Sequence, residues 1–512
     1  MGFARTYSVA LVGLAGSIVE VQADISSNMP GFVLLGLPDT ALADSKERVR
    51  AAAENSGMAL CPRRLTINLT PATLPKRGTA FDVAIVVAAL QAEGRLRVSG
   101  DCVFLGEVGL DGSLRPVPGI LPAVKAAADA GHSRVVVPEE NMAEAQLIEG
   151  IAVSGFSCLA HLFAALDSSE KLREPARAAT PARTVSTDTH LLAKDMSDIA
   201  GQAQGRFALE LAAAGGHHIL FKGPPGSGKT MLAERLPTIL PELDTEAAME
   251  VTAIRSLCLE NERLESLVRT PPFESPHHSA SAPAILGGGS GIPRPGCVSK
   301  AHRGVLFLDE APEFKRTVLD SLRQPLESGV ITLDRAAASA TYPAAFQLVI
   351  AANPCPCGKN TGAGLECTCS PRERKGYFGR LSGPLLDRID LNLSVPKVSS
   401  AELGLSGTGE SSEVIRRRVQ QARAAQAQRL REFGVSLNAQ TNGRILRGPL
   451  KLDASLTKDL NAAVDNNSLT ARGYDRVLRT AWTLADLDGA SSPSAEHVQL
   501  ALFLRQQGGT LS

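Results

Sequence analysis

A parallel α/β core is predicted for the middle of this chain by three segments. GPPGSGKT, from Gly223 to Thr230, sits between the apolar run HIL and a helical pattern. GVLFLDE places a buried, β-rich run, Val305 to Leu308, directly before Asp309 and Glu310, and QLVIAANP supplies a third buried strand that ends at Asn353. Strands that are apolar throughout, separated by helices, are what a sheet covered on both faces requires. An α+β unit is expected before this core and an all-α unit after it.

With 512 residues the chain exceeds one hydrophobic core, and roughly three or four domains are expected. Polar stretches at 168–190 and 397–413 read as linkers, dividing the chain into units 1–167, 191–396 and 414–512, with no internal repeat. Hydrophobic residues at 44% and charged ones at 21% exclude a disordered or membrane protein. The 53 basic and 53 acidic side chains cancel, which gives no sign of nucleic acid, although a ring or groove can concentrate positive charge on one surface. The first apolar run is too short for a membrane span, so a soluble cytoplasmic protein without membrane partners is expected. The opening MGFART matches a loose acylation pattern, but the residues after it alternate like a strand. Cys61, Cys102, Cys158, Cys258 and Cys297 are scattered singly, as thiols in a reducing compartment are.

The central motifs carry phosphate chemistry. Gly223, Pro224, Pro225, Gly226, Ser227, Gly228, Lys229 and Thr230 satisfy G-x-x-x-x-G-K-[ST] in the strand-to-helix context that the motif needs. Glycines there let backbone N–H groups turn toward phosphate oxygens. Lys229 reaches the β and γ phosphates, and the Thr230 hydroxyl ligates Mg2+. At the carboxyl end of the next buried strand Asp309 would hold the metal, and Glu310 would orient or deprotonate the attacking water. ATP and Mg2+ are therefore the expected substrate and cofactor.

Four cysteines, Cys355, Cys357, Cys367 and Cys369, lie just beyond the third strand as C-x-C, nine residues, C-x-C. Four thiolates suit one tetrahedral Zn2+, although C-x-C is tighter than the usual C-x-x-C knuckle, with free thiols or a redox pair as the alternatives; a closed four-thiolate site would brace a loop rather than catalyse a reaction. The insertion 355–369 is thus expected to be an attachment hung on the core. Adjacent His277 and His278 are badly spaced for joint metal ligation and read as a hydrogen-bonded loop.

The order helix, L-E-x-G-x-I-x-L hairpin (Leu326 to Leu333) and sensor strand resembles the AAA+ ATPases, in the branch with magnesium chelatase and the MCM helicases. That resemblance implies that Asn353 is the first sensor and that Arg388, in RLSGPLLDRID, is an arginine finger acting on a neighbouring subunit, with Arg380 in reserve and a surface pair of Arg388 with Asp390 or Asp387 as the alternative. It also implies that Arg472, in SLTARGYDRVLR, is the second sensor, that 414–512 is a helical lid, and that GGGSGIPRPG belongs to an insert facing a central pore, where Arg294 and Lys300 could meet a ligand. Arg476, Arg479 and the arginines at 416, 417, 418, 423, 429 and 431 read as solvated helix positions. The second lid helix is expected to start with Ser492 as cap and Pro493 in its first turn.

The amino-terminal unit, with TLPKRGTAFD and FLGEVGLDGSLRPVPG, resembles the Lon-protease-type domain, of ribosomal S5-type fold. Matched to P-K-D-G-P-S-A-G, the nucleophile position falls on Ala80 and the lysine position on Leu121, so the resemblance implies a protease-dead scaffold. Thr79 is the one hydroxyl nearby, and nothing basic is evident for it. The whole arrangement resembles the ComM/YifB family almost end to end. That family implies a homo-hexameric, ATP-dependent motor on branched or single-stranded DNA, driving branch migration in recombination or natural transformation. Its hairpin tip RAAASAT lacks the usual basic residue, with Arg335 as neighbour. The alternative is a chelatase-like motor that remodels a protein partner without DNA.

Overall fold

A computed structural model of the chain describes residues 2–27, 29–36, 39–76, 78–98, 100–175, 183–184, 194–258, 262–289, 292–335, 338–360, 366–399, 402 and 409–506. Most of the first linker, part of the second, the centre of the cysteine-rich insertion (361–365) and hairpin-tip residues Ala336 and Ala337 lie outside the described residues.

The amino-terminal sheet starts with β1 (Gly2–Val12), which turns back through Gly13 at φ 66° onto β2 (Ala15–Ser26). β3 (Gly31–Leu35), β4 (Arg64–Thr70), β5 (Cys102–Phe104), β6 (Arg134–Pro138) and β7 (Ala152–Phe156) complete seven strands in the order β3-β4-β2-β1-β5-β6-β7. Alternation in RLTINLT turns Leu65, Ile67 and Leu69 inward. Helix α1 (Asp82–Ala92) is apolar all round because it runs through this unit's core, buried at ten of its positions.

The central sheet is wholly parallel. Its strands are β8 (Ile219–Lys222), β9 (Phe273–Glu274), β10 (Val305–Leu308), β13 (Gln347–Ala352) and β14 (Leu391–Ser394), in the order β9-β10-β13-β8-β14. Every residue of β10 and β13 is buried, as helices on both faces demand. The expected hairpin, β11 (Val330–Asp334) with β12 (Ser339–Pro343), stands apart as its own two-stranded sheet. Exposed Arg335 flanks its tip, its N–H donating to the Ala338 carbonyl.

Helices α2 (Ala203–Gly215), α3 (Ser412–Leu430), α4 (Ala471–Leu487) and α5 (Ala495–Gln506) share one hydrophobic cluster with β8, β10 and β13. The helical carboxy-terminal region is therefore docked on the sheet. Ser494, not Ser492, starts α5, its hydroxyl accepting from the His497 N–H.

The arginine-rich helix α3 differs from the solvated reading. Arg423 donates from Nε and Nη2 to the Ala213 carbonyl at 2.9 and 2.6 Å, and Gln426 donates to Ala214 at 3.1 Å. These bonds satisfy last-turn carbonyls of α2, which have no partner inside their own helix. Burial pushes the Arg423 guanidinium down to about 10. Arg418 reaches Glu210 at 2.6 Å, Arg416 the Thr238 carbonyl at 3.0 Å, and Arg429 reaches Asp486 at 2.5 Å while lying 4.4 Å over the Trp482 ring. Arg417 and Arg431 stay exposed, as expected.

Arg476 and Arg479 are not solvated either. Arg476 Nη1 donates to Asp390 Oδ1 at 2.6 Å, and that carboxylate, 1% exposed, also accepts from the His218 N–H at 3.1 Å. Burial opposes ionisation of Asp390, but Arg476 and His217 hold it well below the usual carboxylate range. Arg479 is largely buried, and burial lowers it. His218, pushed by burial down to about 4, stays neutral and accepts the Leu348 N–H on Nδ1 at 3.0 Å.

Asp390→Ala strands Arg476 beside buried imidazoles and is expected to cost about 3–5 kcal/mol. Urea unfolding followed by fluorescence of Trp482, the single tryptophan, checks this. Because the Asp390 pKa is depressed on folding, its contribution is present above the unfolded value of about 3.9 and is lost as pH falls below it. An unchanged midpoint at pH 7 contradicts the assignment.

Candidate nucleotide site and its distant arginines

The parallel sheet fixes where the predicted residues gather. The loop 223–228 leaves the carboxyl end of β8 and closes on Gly228, in the left-handed conformation at φ 88°, as N-cap of helix α6 (Lys229–Ile239). Gly226 is left-handed too, at φ 73°, with nothing within 4 Å of the place a Cβ would take. A side chain there would project from the loop, whereas glycine leaves backbone N–H groups accessible. Gly223 is tighter: its Cβ would fall 2.2 Å from the Val395 carbonyl oxygen.

Lys229 Nζ donates to the Gly223 and Pro224 carbonyls at 2.8 and 2.9 Å and to Asn353 Oδ1 at 3.2 Å. Burial lowers its pKa, against the opposing pull of Asp309 and Glu310. Thr230 Oγ1 donates to Asp309 Oδ2 at 2.7 Å, and Asp309 Oδ1 accepts the Glu310 N–H at 2.9 Å. Lys229, Thr230, Asp309, Glu310 and Asn353 thus form one constellation at the carboxyl ends of β8, β10 and β13. The residues fit a magnesium nucleotide: a helix amino terminus, an ammonium, and a hydroxyl and carboxylate held together. The Ser227 hydroxyl is buried inside the loop with no partner.

Two supports were not legible in the sequence. Gln202, at φ 50°, donates from Nε2 to the Ser227 and Pro396 carbonyls at 3.2 and 2.7 Å, pinning the back of the loop. Gly358, at φ 74°, packs against Pro225, where a Cβ would lie 2.6 Å from Cδ. The cysteine insertion therefore touches the phosphate loop. Its sulfurs are 3.3 Å (Cys355–Cys357), 3.7 Å (Cys355–Cys367) and 3.8 Å (Cys357–Cys367) apart, and all four, with Cys369, lie within 4.8 Å of one another. Zn–S bonds of about 2.3 Å give a tetrahedral edge of about 3.8 Å, so the thiol set fits one such ion.

Arg388 and Arg472 are elsewhere. Arg388 precedes β14, at the amino ends of the strands, with its guanidinium on Glu327 and not on Asp387 or Asp390. It lines a cavity of about 840 Å³ together with Arg303, Arg423, Arg472, Arg476 and Arg479, and His218, Gly304 and Gln347 mark that cavity's place where β8, β10 and β13 begin. None of Gly223–Thr230, Asp309, Glu310 or Asn353 lines it. Four-residue strands separate the two ends by roughly 13 Å at 3.3 Å per residue. Reserve candidate Arg380 is engaged with Glu313 at 2.9 Å. Exposed Arg294 pairs in a short ribbon, Gly288 opposite, and Lys300 ends a helical turn on the surface.

In the amino-terminal unit, Thr79 Oγ1 donates to the Glu107 carboxylate. Buried Lys76, passed over in the sequence, gives its ammonium to the Pro71 carbonyl, and burial lowers its pKa. Ala80 offers no nucleophile, and Leu121 is buried.

Three family models match the chain in succession: subunit ChlI of Mg-chelatase over residues 21–141, magnesium chelatase subunit ChlI over 195–403, and its C-terminal model over 409–505. The chain is 47% identical over 511 residues to an uncharacterized protein of Mycobacterium tuberculosis, covering 99% of each. It is 40% identical over 508 residues to the uncharacterized protein YifB of Escherichia coli, covering 99% of this chain and 97% of YifB. To the competence protein ComM of Haemophilus influenzae it is 39% identical over 508 residues, covering 99% and 98%. A Lon protease of Mycolicibacterium smegmatis is 28% identical over 168 residues, 31% of this chain and 22% of that one.

Gly358→Ala forces a Cβ toward Pro225 at a left-handed φ. Binding of a fluorescent ATP analogue is expected to weaken roughly three- to tenfold, from a strain of about 1 kcal/mol passed to the loop. Unchanged affinity contradicts the coupling.

Proposed function

The chain belongs to the ComM/YifB family of magnesium-chelatase-like AAA+ proteins, and we propose that it is an ATP-hydrolysing homo-hexameric motor acting on branched or single-stranded DNA, a branch-migration helicase of recombination or natural transformation. Family membership implies ATPase activity. The observation that carries the motor is the separation of the phosphate loop from the arginine cavity. Arg388 and Arg472 sit at the wrong end of the sheet to reach their own nucleotide, so each site is completed by the adjoining subunit. Such head-to-tail contacts give a ring where the rotation between subunits closes.

In that site Lys229 leaves the Gly223 and Pro224 carbonyls for the phosphates, and Asn353, its other partner, stays to orient water. Glu310 takes the water's proton. Arg388 and Arg472 of the adjoining subunit stabilise the charge that develops on the γ phosphate. Mg2+, held by Thr230 and Asp309, would neutralise phosphate charge. Cys355, Cys357, Cys367 and Cys369 would hold a structural Zn2+ that stiffens the loop under Pro225. At Ala80 and Leu121 the amino-terminal unit lacks the reagents for peptide hydrolysis and serves as a scaffold.

The full-length similarity to a competence protein supports DNA as the track. Steady-state ATPase rates without DNA and with single strand, duplex or a four-way junction test this. Stimulation by the junction or single strand, weakening as salt rises, is expected. A flat response contradicts the DNA reading and moves the motor to a protein partner. For zinc, metal analysis of purified protein is expected to give about one equivalent per chain, and less than about half contradicts the site.

A further inference from the structure

The amino-terminal unit is tied to the ATPase core through a helix pair and a turn that the chemistry above leaves unused. The pair is α7 (Ile120–Asp129) on α8 (Thr245–Cys258). Ala253 of α8 is buried in the amino-terminal unit's own apolar cluster with Ile120, Leu121 and Val124, and Met249 packs against that cluster. Ala80 packs there too, so both positions where the Lon-type resemblance puts a protease's nucleophile and lysine share their packing with an ATPase helix. Polar groups lock the pair. The Gly119 N–H donates to the Ser256 carbonyl at 3.1 Å, and buried Glu144 accepts the Leu121 N–H at 3.0 Å and the Ser256 hydroxyl.

The turn is the one between β1 and β2, and it bears on the β11–β12 hairpin. At Gly13 a Cβ would lie 3.1 Å from the Thr341 carbonyl oxygen and 3.6 Å from Ala340 Cβ, both in β12. Val12 and Leu14, on either side of Gly13, pack with Leu257 of α8 against the cluster that holds Ile331, Leu333 and Tyr342 of the hairpin. Leu14 packs against the amino-terminal cluster as well, so one side chain joins the two. The hairpin shares no strand with the central sheet, and two strands alone are marginally stable in water. Its angle to the core is therefore set by what packs on it: this turn on β12, and the Tyr342 hydroxyl donating to the Pro293 carbonyl at 2.5 Å.

We propose that the amino-terminal unit is a brace for this hairpin: seated on α8 through the cluster that holds Ala80 and Leu121, it presses the β1–β2 turn on β12 and so fixes where the hairpin tip, with Arg335, meets the track. The brace stands on packing alone. Only its effect at the track rests on the DNA reading.

The test is amide hydrogen exchange of the full chain, read by mass spectrometry over residues 330–343, for the parent, Leu14→Asp and Gly13→Asn. Asparagine accepts the left-handed φ of 66° at Gly13 but sets a side chain against Thr341, so the turn keeps its shape while the contact opens. In both variants the hairpin amides are expected to exchange roughly tenfold faster, with β10 and β13 as protected as in the parent. ATP hydrolysis without DNA is expected to stay within about twofold of the parent, and most of the increment added by a four-way junction to be lost. Unchanged hairpin exchange in either variant overturns the proposal. So does faster exchange that spreads to β10 and β13, because that pattern belongs to a loosened core. A loosened hairpin that keeps the whole increment overturns the aiming of the tip. A parent chain with no increment overturns the DNA reading, and exchange still decides the brace.

Discussion

A parallel sheet has two chemically different ends, and the organisation of this protein follows from that asymmetry. All carboxyl ends point one way, so Lys229, Asp309 and Asn353, each following its own strand, converge without any long loop to gather them. All amino ends point the other way, and there Arg388 and Arg472 share a cavity with four further arginines. One chain therefore carries the phosphate-loop constellation and the arginine-lined cavity at opposite ends of one sheet. In the proposed ring, assembly makes them one site.

The arginine-lined end adds a buried polar network to the apolar packing that docks the helices on the sheet. Asp390, just before β14, receives Arg476 from α4 and the His218 N–H from the start of β8. Asp486, further along the same helix, continues the network by receiving Arg429 from α3 and Asn438 Nδ2, the latter at 2.8 Å. Charges so deeply buried do little for stability compared with well-packed apolar residues, but they fix geometry, because only one arrangement pairs them all. The roles proposed for Arg388 and Arg472 need such fixing, since misplacement by an ångström is costly in rate.

The cradle end was largely legible in the sequence because its chemistry is local. A glycine loop between strand and helix, and acids at a strand terminus, are recognisable from neighbours in the chain. The solvated reading of Arg423 and Arg476 failed for the opposite reason. Their spacing on a helix cannot reveal that the Ala213 carbonyl or the Asp390 carboxylate lies across the interface. Gln202 and Gly358 were invisible too, because each acts on the phosphate loop from a distant part of the chain. His278 lies between these cases. It stood out as one of a pair, but only the structure shows that its Nδ1 lies 3.3 Å from Glu310 Oε2.

The central claim is that one ATP site is built from two chains, and subunit mixing tests it most directly. Lys229→Ala and Arg388→Ala chains are each expected to be inactive alone. Co-expressed, they should recover roughly a quarter of the parental rate, because in randomly mixed head-to-tail rings about one interface in four joins an intact Lys229 to an intact Arg388. Mixed rings with no recovered hydrolysis would contradict the account and place both residues at the nucleotide of a single chain.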